Sequence, residues 1–235
     1  MQQAQKILFE WSNLKSWTDD SQKIEHRWCR VIAFPNFMSF IAPDFLLEFI
    51  KTYPDLNLEL EQALNTLTNE TLIQTVLQSQ TEAGIVALPV NHPHLAETPL
   101  YMEESVLAVG KGHPLFNSRI INVSELSQFQ LVLPTLNASY RNFLSRVFYN
   151  VDAQLQVKYV VHHYPLMFQI IRSGLTGGIV PSIAVDRHDE SIRAIHIDPP
   201  LVRQIGWIEK RDNIRSPATD IFLNFLVKFL SNFRT

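Results

Sequence analysis

At about 150 residues per domain, a 235-residue chain has room for one large domain or two small lobes and none for a multi-enzyme polypeptide. Hydrophobic residues make up 46% and charged residues 18%, enough to bury a sizeable core, which excludes disordered and collagen-like architectures. With 20 Lys and Arg against 23 Asp and Glu the net charge is −3, so the chain lacks the basic excess that phosphate neutralisation requires and is not expected to bind DNA well by itself.

The first 17 residues carry polar groups and two tryptophans where an export signal would need an uninterrupted apolar run, and no stretch further on approaches the roughly 18 apolar residues of a membrane span. A cytoplasmic chain with no membrane contact is expected. Ala4, Ile7, Leu8, Trp11, Leu14 and Trp17 recur at three and four, which predicts an amphipathic helix over 2–17. The polar stretch 18–25 reads as a linker, so the stripe is expected to meet another protein surface, with folding back onto its own domain as the alternative. Cys29, the single cysteine, forbids an intrachain disulfide and CxxC chemistry, fits a reducing compartment, and is expected to be a half-buried, inert thiol.

Four short apolar runs each end at a proline: 31–34 before Pro35, 85–88 before Pro89, 131–133 before Pro134, and 179–180 before Pro181. Runs without alternation suggest strands covered on both faces, as in a parallel sheet between helices. After the first run comes a helix with Pro43 in its opening turns and Ile41, Phe45, Leu46, Phe49 and Ile50 on one face; after the third, Tyr140, Phe143, Leu144, Val147 and Phe148 mark another. Strand then helix, twice over, is an α/β pattern. Further strands are expected at 105–109 and 202–208. If the chain leaves one lobe through the first and returns through the second, the helix at 221–229 packs on the first lobe. That makes two lobes and a hinge; a single continuous sheet is the alternative. Gly174 falls where an apolar helix should stop, and Gly177 and Gly178 open a strand that must run close to that helix. Their spacing matches neither GxGxxG nor a P-loop, so no nucleotide cradle is expected.

Ile170 to Pro181, a helix, Gly, turn, strand and Pro, resembles a signature segment of the effector-binding domain of LysR-type transcriptional regulators, with Thr176 where that family usually has a second glycine. Gly112-His-Pro-Leu115 with 123–126, Ser216-Pro-Ala-Thr with the helix that follows, and 49–58 resemble three more, in the family's order and spacing. Two departures stand out: Glu82 replaces the usual Asp, bringing the pocket floor into question, and 62–69 is longer than the usual loop. The winged helix-turn-helix of the family is missing, and 3–17 is similar to the start of its linker helix. The resemblance implies an α/β fold of two Rossmann-like lobes with a hinge, periplasmic-binding-protein type II-like, preceded by a linker helix. Its expected parts are a partial linker helix at 1–20, lobe I at 28–104 plus 208–235, and lobe II at 105–207.

Neither enzymatic chemistry nor a cofactor is expected. The histidine clusters, His92-Pro-His94 and His162-His163, lack the spacing and further ligands of a zinc site, and no GxSxG elbow occurs. Ligands of open α/β sheets sit beyond the carboxyl ends of the strands. Asn36, Phe37 and Met38 follow the first strand, and Thr135, Asn137, Ser139 and Tyr140 follow the third; both segments offer backbone N–H groups to an anion. Thr68 and Asn69 precede a helix marked by Leu72, Val76 and Leu77, as caps or as ligand contacts. The resemblance implies a pocket lined by these segments and by His162, His163 and Tyr164. It further implies a small-molecule effector, here favouring an organic carboxylate, a homodimer or homotetramer, and DNA contact only through the missing domain. The alternative is a solute-binding protein of a transporter, which shares the fold.

Overall fold

The computed structural model describes residues 28–63, 69–134, 143–144, 155–186, 188–212 and 214–232, with only the backbone described at Asn69. The helix expected over 2–17 lies outside them. Two units divide the chain: one runs to Tyr101 and resumes at Gln204, the other spans Met102–Arg203. The chain passes between them twice, inside two long strands.

In unit 1, β1 (Trp28–Ala33) is parallel to both β2 (Asn57–Gln62) and β3 (Ala83–Leu88). β3 then pairs antiparallel with β10 (Leu201–Lys210) over Gln204 to Glu209. Val31, Ile32 and Ala33 are buried in succession, as expected of a strand covered on both faces. Pro35 cannot extend the ladder, and its fixed φ instead opens the short helix α1 (Pro35–Phe40). Helix α2 (Ala42–Thr52) follows with Pro43 in its first turn. Its buried stripe is Ile41, Phe45 and Phe49, spaced by four; Ile50, expected on that stripe, is 58% exposed, because the face is narrower than five apolar positions suggested. Helix α3 (Asn69–Leu77) lays Leu72 and Val76 on the other face of the sheet, against Ile32, Val86 and Ile208. The final helix α5 (Pro217–Asn232) closes the unit with aromatic contacts: Phe222 lies edge-on to Phe45 at 5.0 Å, and Phe229 to Phe45 at 5.6 Å.

Unit 2 is built around β4 (Leu95–Gly110), whose second half lies antiparallel to β8 (Gly177–Pro181) on one side and β9 (Ile192–Asp198) on the other. β6 (Gln130–Leu133) runs parallel to β8 and to the edge strand β7 (Gln156–Val160), and β5 (Ile120–Asn122) pairs parallel with β9. The core is aliphatic, with Leu107, Ile121, Leu126, Leu131, Ile179 and Ile195 at its centre. Helix α4 (Tyr164–Arg172) stops at Gly174, where φ is +73°. It lies so close to β8 that a Cβ on Gly178 would stand 2.6 Å from the Ile171 Cδ1. Gly84 of β3 plays the same part in unit 1, where a Cβ would stand 2.6 Å from the Leu72 Cδ2 on α3.

Candidate functional site

Each unit brings parallel strands to a common carboxyl end, where a sheet of this kind takes its ligands. In unit 1 the Ala33 carbonyl accepts from the Ala63 N–H at 2.9 Å and the Phe34 N–H donates to the Ile85 carbonyl at 3.2 Å, which fastens the ends of β1, β2 and β3 together. Asn36 and Met38 stand there half-buried. Phe37 does not share their exposure: its ring is fully buried, 6.5 Å from Phe45, so the side chain belongs to the core. The backbone of Asn69 opens α3, whereas Thr68 lies outside the described residues.

In unit 2 the Val161 N–H donates to the Leu133 carbonyl at 2.9 Å, setting the residues after β7 beside the end of β6. His162 and His163 follow, both exposed, and His163 is the N-cap of α4 with no side-chain capping hydrogen bond. Its carbonyl accepts from the Met167 N–H at 3.0 Å, starting the helix. Tyr164 turns inward and is 9% exposed. A nine-residue helix whose first turn is uncapped by a side chain turns the positive end of its dipole toward that position. Thr135, Asn137, Ser139 and Tyr140 lie outside the described residues.

Glu82 does not floor this region. It precedes β3, six strand residues and roughly 20 Å from the carboxyl end. The side chain is buried and accepts hydrogen bonds from the Ser216 hydroxyl at 3.0 Å and from the Thr219 hydroxyl, at the start of α5. Burial pushes its pKa above the usual carboxylate range, opposed by those two hydroxyls and by Arg30. The acid-bearing segment and the Ser-Pro segment, more than 130 residues apart in sequence, are thus two halves of one latch.

Cys29 touches the same knot and is more deeply buried than its sequence neighbourhood suggested, at 1% exposure. Burial and then the Glu82 carboxylate push its thiol pKa far up, against a hydrogen bond from Thr219. A thiol held protonated in this way is a poor nucleophile. The rings of His92 and His94 lie 5.7 Å apart, but His92 Nδ1 accepts from the His94 N–H at 3.3 Å, which occupies that nitrogen. Among the described residues no three His, Cys, Asp or Glu gather where a metal could sit, and no helix is long and apolar enough to cross a membrane.

Buried pairs across long sequence separations escaped the sequence reading. Arg203 holds Glu103 across 100 residues and Ser216 holds Glu82 across 134, and neither pairing leaves a local spacing signal.

A chain of two α/β units, each presenting the ends of parallel strands and helix starts, has the architecture of a periplasmic-binding-protein type II-like ligand-binding domain. The LysR substrate binding domain model matches residues 24–231, and the chain belongs to that family. It is 25% identical over 206 residues to the HTH-type transcriptional regulator YbhD of Escherichia coli, covering 86% of this chain and 63% of that protein. The chain therefore spans less than two thirds of the length of this relative. The effector binding domain of QuiR in complex with shikimate superposes with a TM-score of 0.73 at 18% identity, over 88% of this chain and 98% of that one. The Synechocystis CcmR regulatory domain in complex with 2-PG does so with 0.75 at 18%, over 87% and 98%.

Proposed function

We propose that the chain is the inducer-sensing part of a bacterial LysR-type transcription factor and that it takes a small organic carboxylate at the strand ends. The observation that carries this reading is the exposed His162-His163 pair at the uncapped start of α4, beside the ends of parallel β6 and β7. Imidazole N–H donors and a helix N-terminus suit a carboxylate. Asn36 and Met38, half-buried at the matching place in unit 1, are the other contacts we assign, with the backbone of Phe37 and the segments holding Thr68, Asn69, Thr135, Asn137, Ser139 and Tyr140. In this reading no reaction occurs, the protein is cytoplasmic, and DNA is bound through another part of the regulator.

Titration calorimetry with shikimate, 2-PG and a panel of other small carboxylates, against cationic and lipid controls, tests the ligand class. His163→Ala and Asn36→Ala are expected to weaken carboxylate binding by about tenfold with little change in melting temperature, since each removes a polar contact and no core volume. Binding confined to cationic or lipid ligands would sink the proposal. A bound ligand recovered chemically altered would instead turn the reading toward an enzyme.

A solute-binding protein of a transporter shares the architecture, but the family match and the regulator relatives favour transcription control. Assembly is part of the same reading: we expect a homodimer or homotetramer, with residues 1–20 adding a weaker contact. Sedimentation of the intact chain as a monomer at high micromolar concentration would overturn it.

A further inference from the structure

Arg203 is the last residue of unit 2 before the chain returns to unit 1, and Glu103 is the second residue after the chain has entered it. The two lie on β10 and β4, the strands that make both passages. Arg203 donates to one oxygen of Glu103, Oε2, from Nε at 2.6 Å and from Nη2 at 2.5 Å. The pair is withdrawn from solvent, with the Arg203 side chain 16% exposed and that of Glu103 3%. The guanidinium also stands over the ring of Phe143, with Cζ 5.6 Å from its centroid. Phe143 and Leu144 are helical, and Leu144 is anchored in the core of unit 2.

One flat cation therefore holds three pieces of chain: outgoing strand, incoming strand and helix. A buried ion pair adds little net stability over an apolar pair of the same volume, so its effect here is geometric. Guanidinium is suited to that task because its edge binds carboxylate while its face stacks on an aromatic ring, which an ammonium cannot do. The other arginine–carboxylate pair described in this unit differs: Arg172 and Asp189 lie at the surface with 39% and 22% of their side chains exposed.

We propose that Arg203 is a positioning residue that couples the helix at Phe143 to the two strands through which the chain passes between units. The coupling stands on these contacts and does not rest on the effector-binding reading.

Hydrogen exchange on the full chain without any ligand is the test, comparing the parent with Arg203→Lys and Glu103→Gln and using Arg172→Lys as the surface control. Both crossing variants are expected to accelerate exchange about tenfold in 102–104, 143–144 and 202–204 together, while 177–181 and the control stay at parent rates. Uniform acceleration throughout unit 2, or acceleration of the strands alone, would overturn the coupling. Should the single changes unfold the chain, the double variant Glu103→Gln with Arg203→Met removes both charges. It is expected to melt near the parent and still exchange quickly at the three places, and a return to slow exchange would show that packing alone suffices. Failure of carboxylates to bind would remove the effector reading and leave these exchange results standing.

Discussion

In unit 1 the final helix lays Phe222 and Phe229 on Phe45, with Trp207 at 6.0 Å behind Phe222, so the core is a set of interlocking rings. In unit 2 the corresponding volume is filled by Leu, Ile and Val from six different strands. Rings contact one another edge to face at preferred angles, whereas branched aliphatics fill space with less angular demand. The buried polar groups differ in the same way. Unit 1 buries an acid, Glu82, with its pKa raised; unit 2 buries a base, His113, with its pKa lowered by burial, its Nδ1 accepting from the Leu115 N–H at 3.2 Å. These two buried groups thus bend the pH dependence of stability in opposite senses.

Ring deletion should separate them most. Phe222→Ala is expected to cost about 3–5 kcal/mol in unit 1, and Leu131→Ala about 2–5 kcal/mol in unit 2. All 4 tryptophans lie outside unit 2, so urea titration followed by tryptophan fluorescence should register the first change directly and the second only if the units unfold together. Next come the two glycines under helices. Gly84→Ala and Gly178→Ala should each cost about 1–3 kcal/mol by overpacking, the first seen in fluorescence and the second in hydrogen exchange of 177–181. A neutral outcome at either would show that its helix can lift.

The pH comparison is smaller and sharper. Glu82, raised from 4.5, favours the folded state fully below pH 4.5, and that contribution is lost as pH rises through its folded value. His113, lowered from 6.5, contributes above pH 6.5 and loses that contribution as pH falls through its folded value. Glu82→Gln should therefore flatten the decline in stability upward from pH 4.5, and His113→Asn the decline downward from pH 6.5; equal flattening of both by either variant would erase the contrast. The smallest effect belongs to Asp189, whose carboxyl is held near 2 by Ser191 and then Arg172, below its ordinary 3.8. Its contribution is present above pH 3.8 and lost as pH falls toward 2; because the pair with Arg172 lies at the surface, Asp189→Asn should lower melting only slightly at neutral pH, and the difference from the parent should vanish near pH 2.

The strand and proline junctions were legible because an unbroken apolar run before a residue that cannot donate a ladder hydrogen bond has few other readings. Gly174 and Gly178 were legible for the same kind of reason. β2 was missed because its sequence, Asn57-Leu-Glu-Leu-Glu-Gln62, carries two exposed carboxylates, and β7 because Lys158, Tyr159 and Val160 lie open at a sheet edge. Of the candidate contacts, His162 and His163 follow the end of β7, and only the family resemblance, not their spacing, had drawn attention to them. Phe37 went to the core, since a lone aromatic after a strand reads alike whether it faces a ligand or a helix. Glu82 and Arg203 were opaque: their partners are more than 90 residues away, and only the folded topology joins them.

The division of the chain also bears on how the protein is made. Unit 2 is one continuous stretch, whereas unit 1 needs both the first described residues and the last helix. As the polypeptide leaves the ribosome, unit 2 has all its parts while Phe45 and Phe49 still wait for Phe222, about three quarters of the chain later. A frameshift or proteolytic nick near 216 would therefore strip unit 1 of its core and spare unit 2, leaving a fragment with an exposed aromatic surface that quality control would recognise.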